Sequence, residues 1–460
     1  MICTTLSVIA GWCGGTVAPE YAEVSIRGVS TDTRTIQAGQ LFIPLQGDRF
    51  DGHDYIEAAI QAGAAAVLTA RDLSPEIPAI RVEDTMKAML DISSAYRDSL
   101  KARVVAITGS VGKTTTKEMI AAILATTYRV WKTRENHNNR IGLSQTLLDT
   151  PADTEYLVLE LGMNHFGEMR ELTAVAKPDL VVITNIGSMH IEHLGSREGI
   201  LQAKLEILEG LRPGGTAVFN GDEPLLWGLH NIQADRIIYF GIENEKCDIH
   251  ARNLETPEGG IRFTIEGLGQ RFDVYVPMEG RHSSQNATAA AAVAVCCNVL
   301  PANIQTALSR FQNTDMRQKT YEAKGYTIID DCYNAGPESM EAAILVLGDK
   351  KVRGRRIAVL GDMLELGDRA AAEHYRIGRI AANKTDMILA YGPNAERVIS
   401  GAMTGGMKNT QAMSFDTQEE MVNALVSRAR PGDVLLFKGS RGMRMEKALE
   451  LFLELQPEPL

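Results

Sequence analysis

Residues 104–116 set the first constraint on the fold. The apolar run Val104-Val105-Ala106-Ile107 leads into Thr108-Gly109-Ser110-Val111-Gly112-Lys113-Thr114-Thr115-Thr116, and a helical pattern follows. A strand, a glycine-bearing turn and a helix in that order cradle phosphate. Glycines let backbone amides approach oxygens, the helix N-terminus adds its dipole, a lysine reaches the β- and γ-phosphates, and a hydroxyl can meet Mg²⁺. Gly109, Ser110, Val111, Gly112, Lys113, Thr114 and Thr115 are therefore the expected nucleotide loop. It is the short G-x-x-G-K-T form, because Ile107 stands where G-x-x-x-x-G-K-[ST] has its first glycine. Asn383-Lys384-Thr385-Asp386 has the letters of a guanine selector but precedes its strand, so ATP is the expected nucleotide.

Apolar strands alternate with helical patterns from Arg103 onwards (Val104–Thr108, Tyr156–Leu161, Leu180–Thr184), which implies βαβ units and a parallel sheet. Polar and apolar residues alternate over 247–277, as in an antiparallel excursion. A fresh strand series begins after the polar segment 311–317. With 460 residues and roughly 150 per domain, three α/β domains are expected, at 1–101, 102–314 and 315–460. The 47 basic and 58 acidic residues leave a charge of -11, which argues against nucleic acid or an anionic membrane as partner, so local groups must hold any anionic ligand. Ala289–Cys297, the longest apolar stretch, is too short to span a bilayer and reads as a buried helix. No Lys or Arg precedes Arg27, so a secretory start is absent and the cytoplasm is the expected location. The six cysteines show no C-x-x-C spacing and are expected as reduced thiols.

Phosphoryl transfer needs metals and aligned acceptors more than covalent help. Glu160 ends an apolar strand, where a metal-binding carboxylate or a merely solvated one could sit. His190 follows the run Val181–Asn185 and suits a metal or a structural role. Lys204, on the helical stretch 197–209, reads by itself as a salt-bridge partner of Glu206 or Glu209.

Taken together the motifs resemble the Mur ligases, ATP-dependent amide-forming enzymes of peptidoglycan precursor synthesis. Ser30-Thr31-Asp32-Thr33-Arg34, Asp51-Gly52-His53, the loop 108–118, Asn136-His137-Asn138-Asn139, Glu160-Leu161-Gly162, Ala203-Lys204-Leu205-Glu206, Asp330-Asp331-Cys332-Tyr333-Asn334-Ala335, Gly361-Asp362-Met363-Leu364-Glu365-Leu366-Gly367 and Lys438-Gly439-Ser440-Arg441 carry the likeness over essentially the whole chain. The resemblance implies a UDP-substrate domain, a central P-loop ATPase built on a parallel sheet and a C-terminal Rossmann-like domain. It implies a cytoplasmic monomer using ATP and Mg²⁺, with UDP-N-acetylmuramoyl-tripeptide and D-alanyl-D-alanine as substrates.

By the same resemblance, Ser30, Thr31, Asp32, Arg34, Gly47, Asp51 and His53 would hold the uridine nucleotide, and Asn138 and Asn139 the sugar-peptide. Thr114 would serve one metal, while Glu160, His190 and a carbamylated Lys204 would serve another and, with Lys113, form the catalytic set. Asn286 and Arg317 would contact ATP, and Asn334, Lys438 and Arg441 the incoming dipeptide and reacting carboxylate. Gly336 and Cys332 depart from the family's Asp-Asp-Ser-Tyr-Asn-Ala-Asn-Pro. An Asp-Asn-Pro-Arg motif is lacking, which favours the dipeptide-adding member over its diaminopimelate-adding neighbour. The loop alone also suits a folylpolyglutamate synthase-like ligase or a P-loop ATPase switch without a ligated product.

Overall fold

The computed structural model describes residues 1–47, 50–230, 232–313 and 316–456. Three large sheets follow one another along the chain, and a two-stranded one pairs Cys3–Thr5 with Ser25–Arg27. The first has five short strands, ordered Thr16–Val17, Ala79–Arg81, Ala66–Thr69, Leu41–Phe42 and Val29–Ser30. The second has nine, ordered Gln270–Val276, Ile261–Gly267, Ile249–Glu255, Arg236–Gly241, Thr216–Asn220, Leu180–Ile183, Arg103–Thr108, Tyr156–Glu160 and Val130–Lys132. The third has six, ordered Lys319–Ala323, Tyr326–Asp331, Val434–Lys438, Arg356–Gly361, Met387–Tyr391 and Ala412–Phe415. This is the α/β class expected. The anticipated division at 314/315 falls outside the described residues, as do positions 48 and 49 of the 47–53 loop.

Strand Arg103–Thr108 lies between parallel neighbours Tyr156–Glu160 and Leu180–Ile183, which pair Glu160 with Ile107 and Ile183 with Thr108. Helices cover both faces, so these strands are continuous apolar runs rather than alternating ones. The chain reverses strand order about Arg103–Thr108, and such a switch point opens a crevice beyond the strands' C-terminal ends. In the third sheet Val434–Lys438, the last strand of the chain, is inserted between parallel neighbours Tyr326–Asp331 and Arg356–Gly361. The antiparallel excursion forms the edge of the central sheet, pairing Ile249–Glu255 with Ile261–Gly267 and that strand with Gln270–Val276. Ala289–Cys297 belongs to the buried helix Arg281–Cys296 and its C-cap. Among the described residues no helix is long and apolar enough to cross a membrane.

The first two domains are joined by polar anchors. Arg97, fully buried on the helix Thr85–Ser99, donates through Nε to the Ala176 carbonyl at 3.0 Å and through Nη2 to that of Lys177 at 3.3 Å. Ile2 N donates to Leu148 O at 2.8 Å.

Candidate active site

A cleft of about 570 Å³ opens where the central and third sheets face each other. Its floor is the phosphate loop, which leads into the helix Lys113–Leu124. Gly109 and Gly112 adopt φ of +149° and +84°, and a Cβ on them would meet Thr184 Oγ1 at 1.9 Å and Asn286 Oδ1 at 2.5 Å, so glycine is required at both. Asn185 shapes the loop from the next strand's end: its Oδ1 accepts from the amides of Ser110 (3.1 Å) and Val111 (2.9 Å). Lys113 Nζ folds back to donate to Gly109 O at 2.8 Å.

Glu160 is buried and faces this loop. It accepts from Thr114 Oγ1 at 2.7 Å and from Asn138 Nδ2 at 2.9 Å, with Lys117 Nζ at 3.9 Å. Basic groups outnumber it. Burial pulls the Lys113 ammonium below its ordinary pKa against the opposing pull of Glu160, and Arg317 adds to the depression. Lys204 is drawn well down, by burial first and by Lys113 second. The salt bridge that Lys204 would make as an ordinary helix lysine is not formed. Glu206 instead accepts from the amides of Gly167 and Arg170, and Glu209 binds Arg170. Lys113 and Arg317, basic groups that Glu160 does not match in number, make a site for a polyanion.

Ser110, Val111, Gly112, Thr115, Asn138, Asn139, His190, Asn286, Arg317, Asn334 and Lys438 line the same cleft. Arg317 stacks over the Tyr333 ring at 3.8 Å. Lys438 is buried and donates to Asp331 Oδ2 at 2.6 Å and Asn334 O at 3.0 Å, so in this arrangement it braces the loop that bears Asn334. Asn139 also caps the helix Arg140–Leu148 by accepting from Gly142 N. Gly336 is matched to its surroundings, since a side chain there would meet Met189 Cγ at 2.6 Å. Arg441 does not line the cleft; it is exposed and pairs with Glu446 at 3.2 Å.

A second cavity, about 440 Å³, lies between the first domain and the central one. Ser30, Thr31 and Asp32 line it with Trp131, Arg134 and Gln145, and Gln145 Nε2 donates to Thr31 Oγ1 at 2.8 Å. Arg34 turns to Asp32 instead and is 87% exposed. Gly47, Asp51 and His53 lie on neither cavity. His53 Nδ1 bonds Asp51 at 2.7 Å and its Nε2 accepts from Ala70 N, which fixes the loop.

Among the described residues no three His, Cys, Asp or Glu side chains gather closely enough to hold a metal by themselves. The donors nonetheless suit a hard divalent cation: a buried carboxylate, the Thr114 hydroxyl bonded to it, and the His190 imidazole on the same cleft. Mg²⁺ is commonly held by one or two carboxylates with substrate phosphates completing the shell. Asn185, Asp331 and Tyr333 were not singled out by sequence reasoning as site residues. Their positions at strand ends beside the loop were the available signal.

The chain belongs to the Mur ligase family. It matches the family's catalytic domain over residues 25–110, the Mur ligase middle domain over 107–294 and the glutamate ligase domain over 309–441. The UDP-N-acetylmuramoyl-tripeptide–D-alanyl-D-alanine ligase of Bacillus subtilis (strain 168) is 42% identical, with 99% of each chain covered. Among solved structures, MurF from Acinetobacter baumannii superposes with a TM-score of 0.91 at 31% identity, covering 99% of each chain. MurF ligase from Thermotoga maritima in complex with ADP gives 0.82 at 30% identity, covering 93% of this chain and 97% of that one.

Proposed function

We propose that this chain joins D-alanyl-D-alanine to UDP-N-acetylmuramoyl-tripeptide with cleavage of ATP, giving the pentapeptide precursor of peptidoglycan. The full-length 42% identity to the ligase of that name carries the reading. It acts as a cytoplasmic monomer of three domains, 1–101, 102–314 and 315–460. The terminal carboxylate of the tripeptide attacks the γ-phosphorus of ATP, ADP leaves, and an acyl phosphate results. The dipeptide amine, having lost a proton, attacks the acyl carbon and inorganic phosphate departs. A carboxylate is a poor electrophile, and phosphorylation gives it a leaving group.

Lys113 and the loop amides stabilise charge on the transferring phosphoryl. Asn286 and Arg317 hold the nucleotide. Ser30, Thr31, Asp32, Arg34, Gly47, Asp51 and His53 serve the uridine end, and Asn138 and Asn139 the sugar-peptide. Asn334, Lys438 and Arg441 serve the dipeptide and reacting carboxylate. Thr114, Glu160, His190 and Lys204 would hold Mg²⁺, which when bound screens the phosphates against an anionic acceptor. Burial draws the Lys204 pKa well down and so favours its neutral amine, the form that adds CO₂ and releases a proton to become an anionic carbamate ligand. ADP release measured with each substrate omitted in turn tests the reading: it should require both the nucleotide-sugar tripeptide and the dipeptide for sustained turnover. Steady release with neither present would instead mark an ATPase switch.

A further inference from the structure

The loop that follows strand Arg356–Gly361 crosses to the central domain. Its Glu365 Oε2 lies 2.5 Å from Nδ1 of His190, a residue 175 positions away in the chain. The contact is built on both sides. His190 and Glu365 both sit in left-handed backbone, at φ of 64° and 61°, which non-glycine residues adopt only when their surroundings hold them there. Glu192 N donates to Glu365 O at 3.4 Å. The loop is itself pinned: Met363 N donates to His374 Nε2 at 2.9 Å, and Leu364 N to Ser440 Oγ at 2.8 Å. A half-exposed ion pair would add little to stability by itself.

We infer that Glu365 is a positioning residue for His190, holding the imidazole as the Nδ1–H tautomer and so reserving the Nε2 lone pair for a divalent cation. An ionised carboxylate can only accept, so the shared proton belongs to Nδ1. Metal-ligating histidines characteristically donate their second ring N–H to such a carboxylate, which fixes ring orientation and raises ligand basicity. Here that partner comes from another domain, and the metal site is complete only when the third domain is docked. The inference rests on the reading of His190 as a metal ligand.

The test uses the full chain with ¹⁵N-labelled histidine, the His190 signals being assigned by their loss in His190→Ala. The wild type should show His190 protonated at Nδ1, with Glu365→Gln preserving this form through its amide oxygen and Glu365→Ala losing it. In a second arm, Mn²⁺ is titrated into each protein with ADP and followed by its EPR signal. Glu365→Ala should weaken Mn²⁺ binding by about 10- to 100-fold, with Glu365→Gln near wild type, an unchanged thermal midpoint and no further loss when His190→Ala is already present. An unchanged tautomer and Mn²⁺ affinity in Glu365→Ala, or the same loss with His190 already removed, would overturn the inference. So would a wild type that binds no Mn²⁺. Neither arm contains an acceptor, so failure of ligation by the wild type would count against the proposed reaction and not against this contact.

Discussion

Thr114 donates its hydroxyl hydrogen to Glu160 across 2.7 Å, joining the first turn of the helix after the phosphate loop to the end of the neighbouring parallel strand. The bond places a buried carboxylate beside the phosphate end of the cleft, with the desolvated Lys113 and Lys204 side chains nearby.

Lys113→Met should lower ADP release by at least about a hundredfold, because it removes a charge that acts on the transferring phosphoryl. The thermal midpoint should stay level or rise, because burial already disfavours the ammonium in the fold. A calorimetric scan beside an ADP assay checks both halves.

Lys204→Ala should lose most activity, and short carboxylates added to the medium should restore part of it by standing in for the carbamate. With ¹³C-bicarbonate, the wild type should give a carbamate carbon signal that the variant lacks. Full activity without that signal would remove Lys204 from the metal set.

Much of this site was legible because its chemistry is local. The loop Gly109–Thr115 is contiguous, and Glu160 announces itself as the polar end of an apolar strand. What stayed hidden depends on contacts across the chain. Nothing in the letters ties Glu365 to His190 or Met189 to Gly336. Asp51 and His53 belong to a matching motif, yet their side chains are occupied in bracing their own loop. Strand Lys319–Ala323 was also missed. It is a largely exposed edge strand, K-T-Y-E-A, whose pairing with Tyr326–Asp331 supplies what its composition does not.

Arg97→Ala should cost about 3 kcal/mol, because the buried carbonyl of Ala176 and the part-buried one of Lys177 lose their donor and a large side chain leaves a void. Arg97→Met should recover part of this by refilling the volume. Differential scanning calorimetry separates the two variants.

Burial raises the Cys297 thiol from an ordinary 9.0 to about 11. The folded thiol therefore keeps its proton where the unfolded chain has lost it. Its contribution is whole below pH 9 and is lost as pH rises towards 11. The stability gap between wild type and Cys297→Ala, followed by urea denaturation from pH 8 to 11, should narrow over that window.

The most direct test of the account is the mass of the product formed from UDP-N-acetylmuramoyl-tripeptide, ATP and dipeptide. D-alanyl-D-alanine should yield the tripeptide nucleotide extended by one dipeptide, with one ADP and one phosphate per bond, far faster than L-alanyl-L-alanine. Equal rates with the two dipeptides, or ADP released without a ligated product, would contradict it.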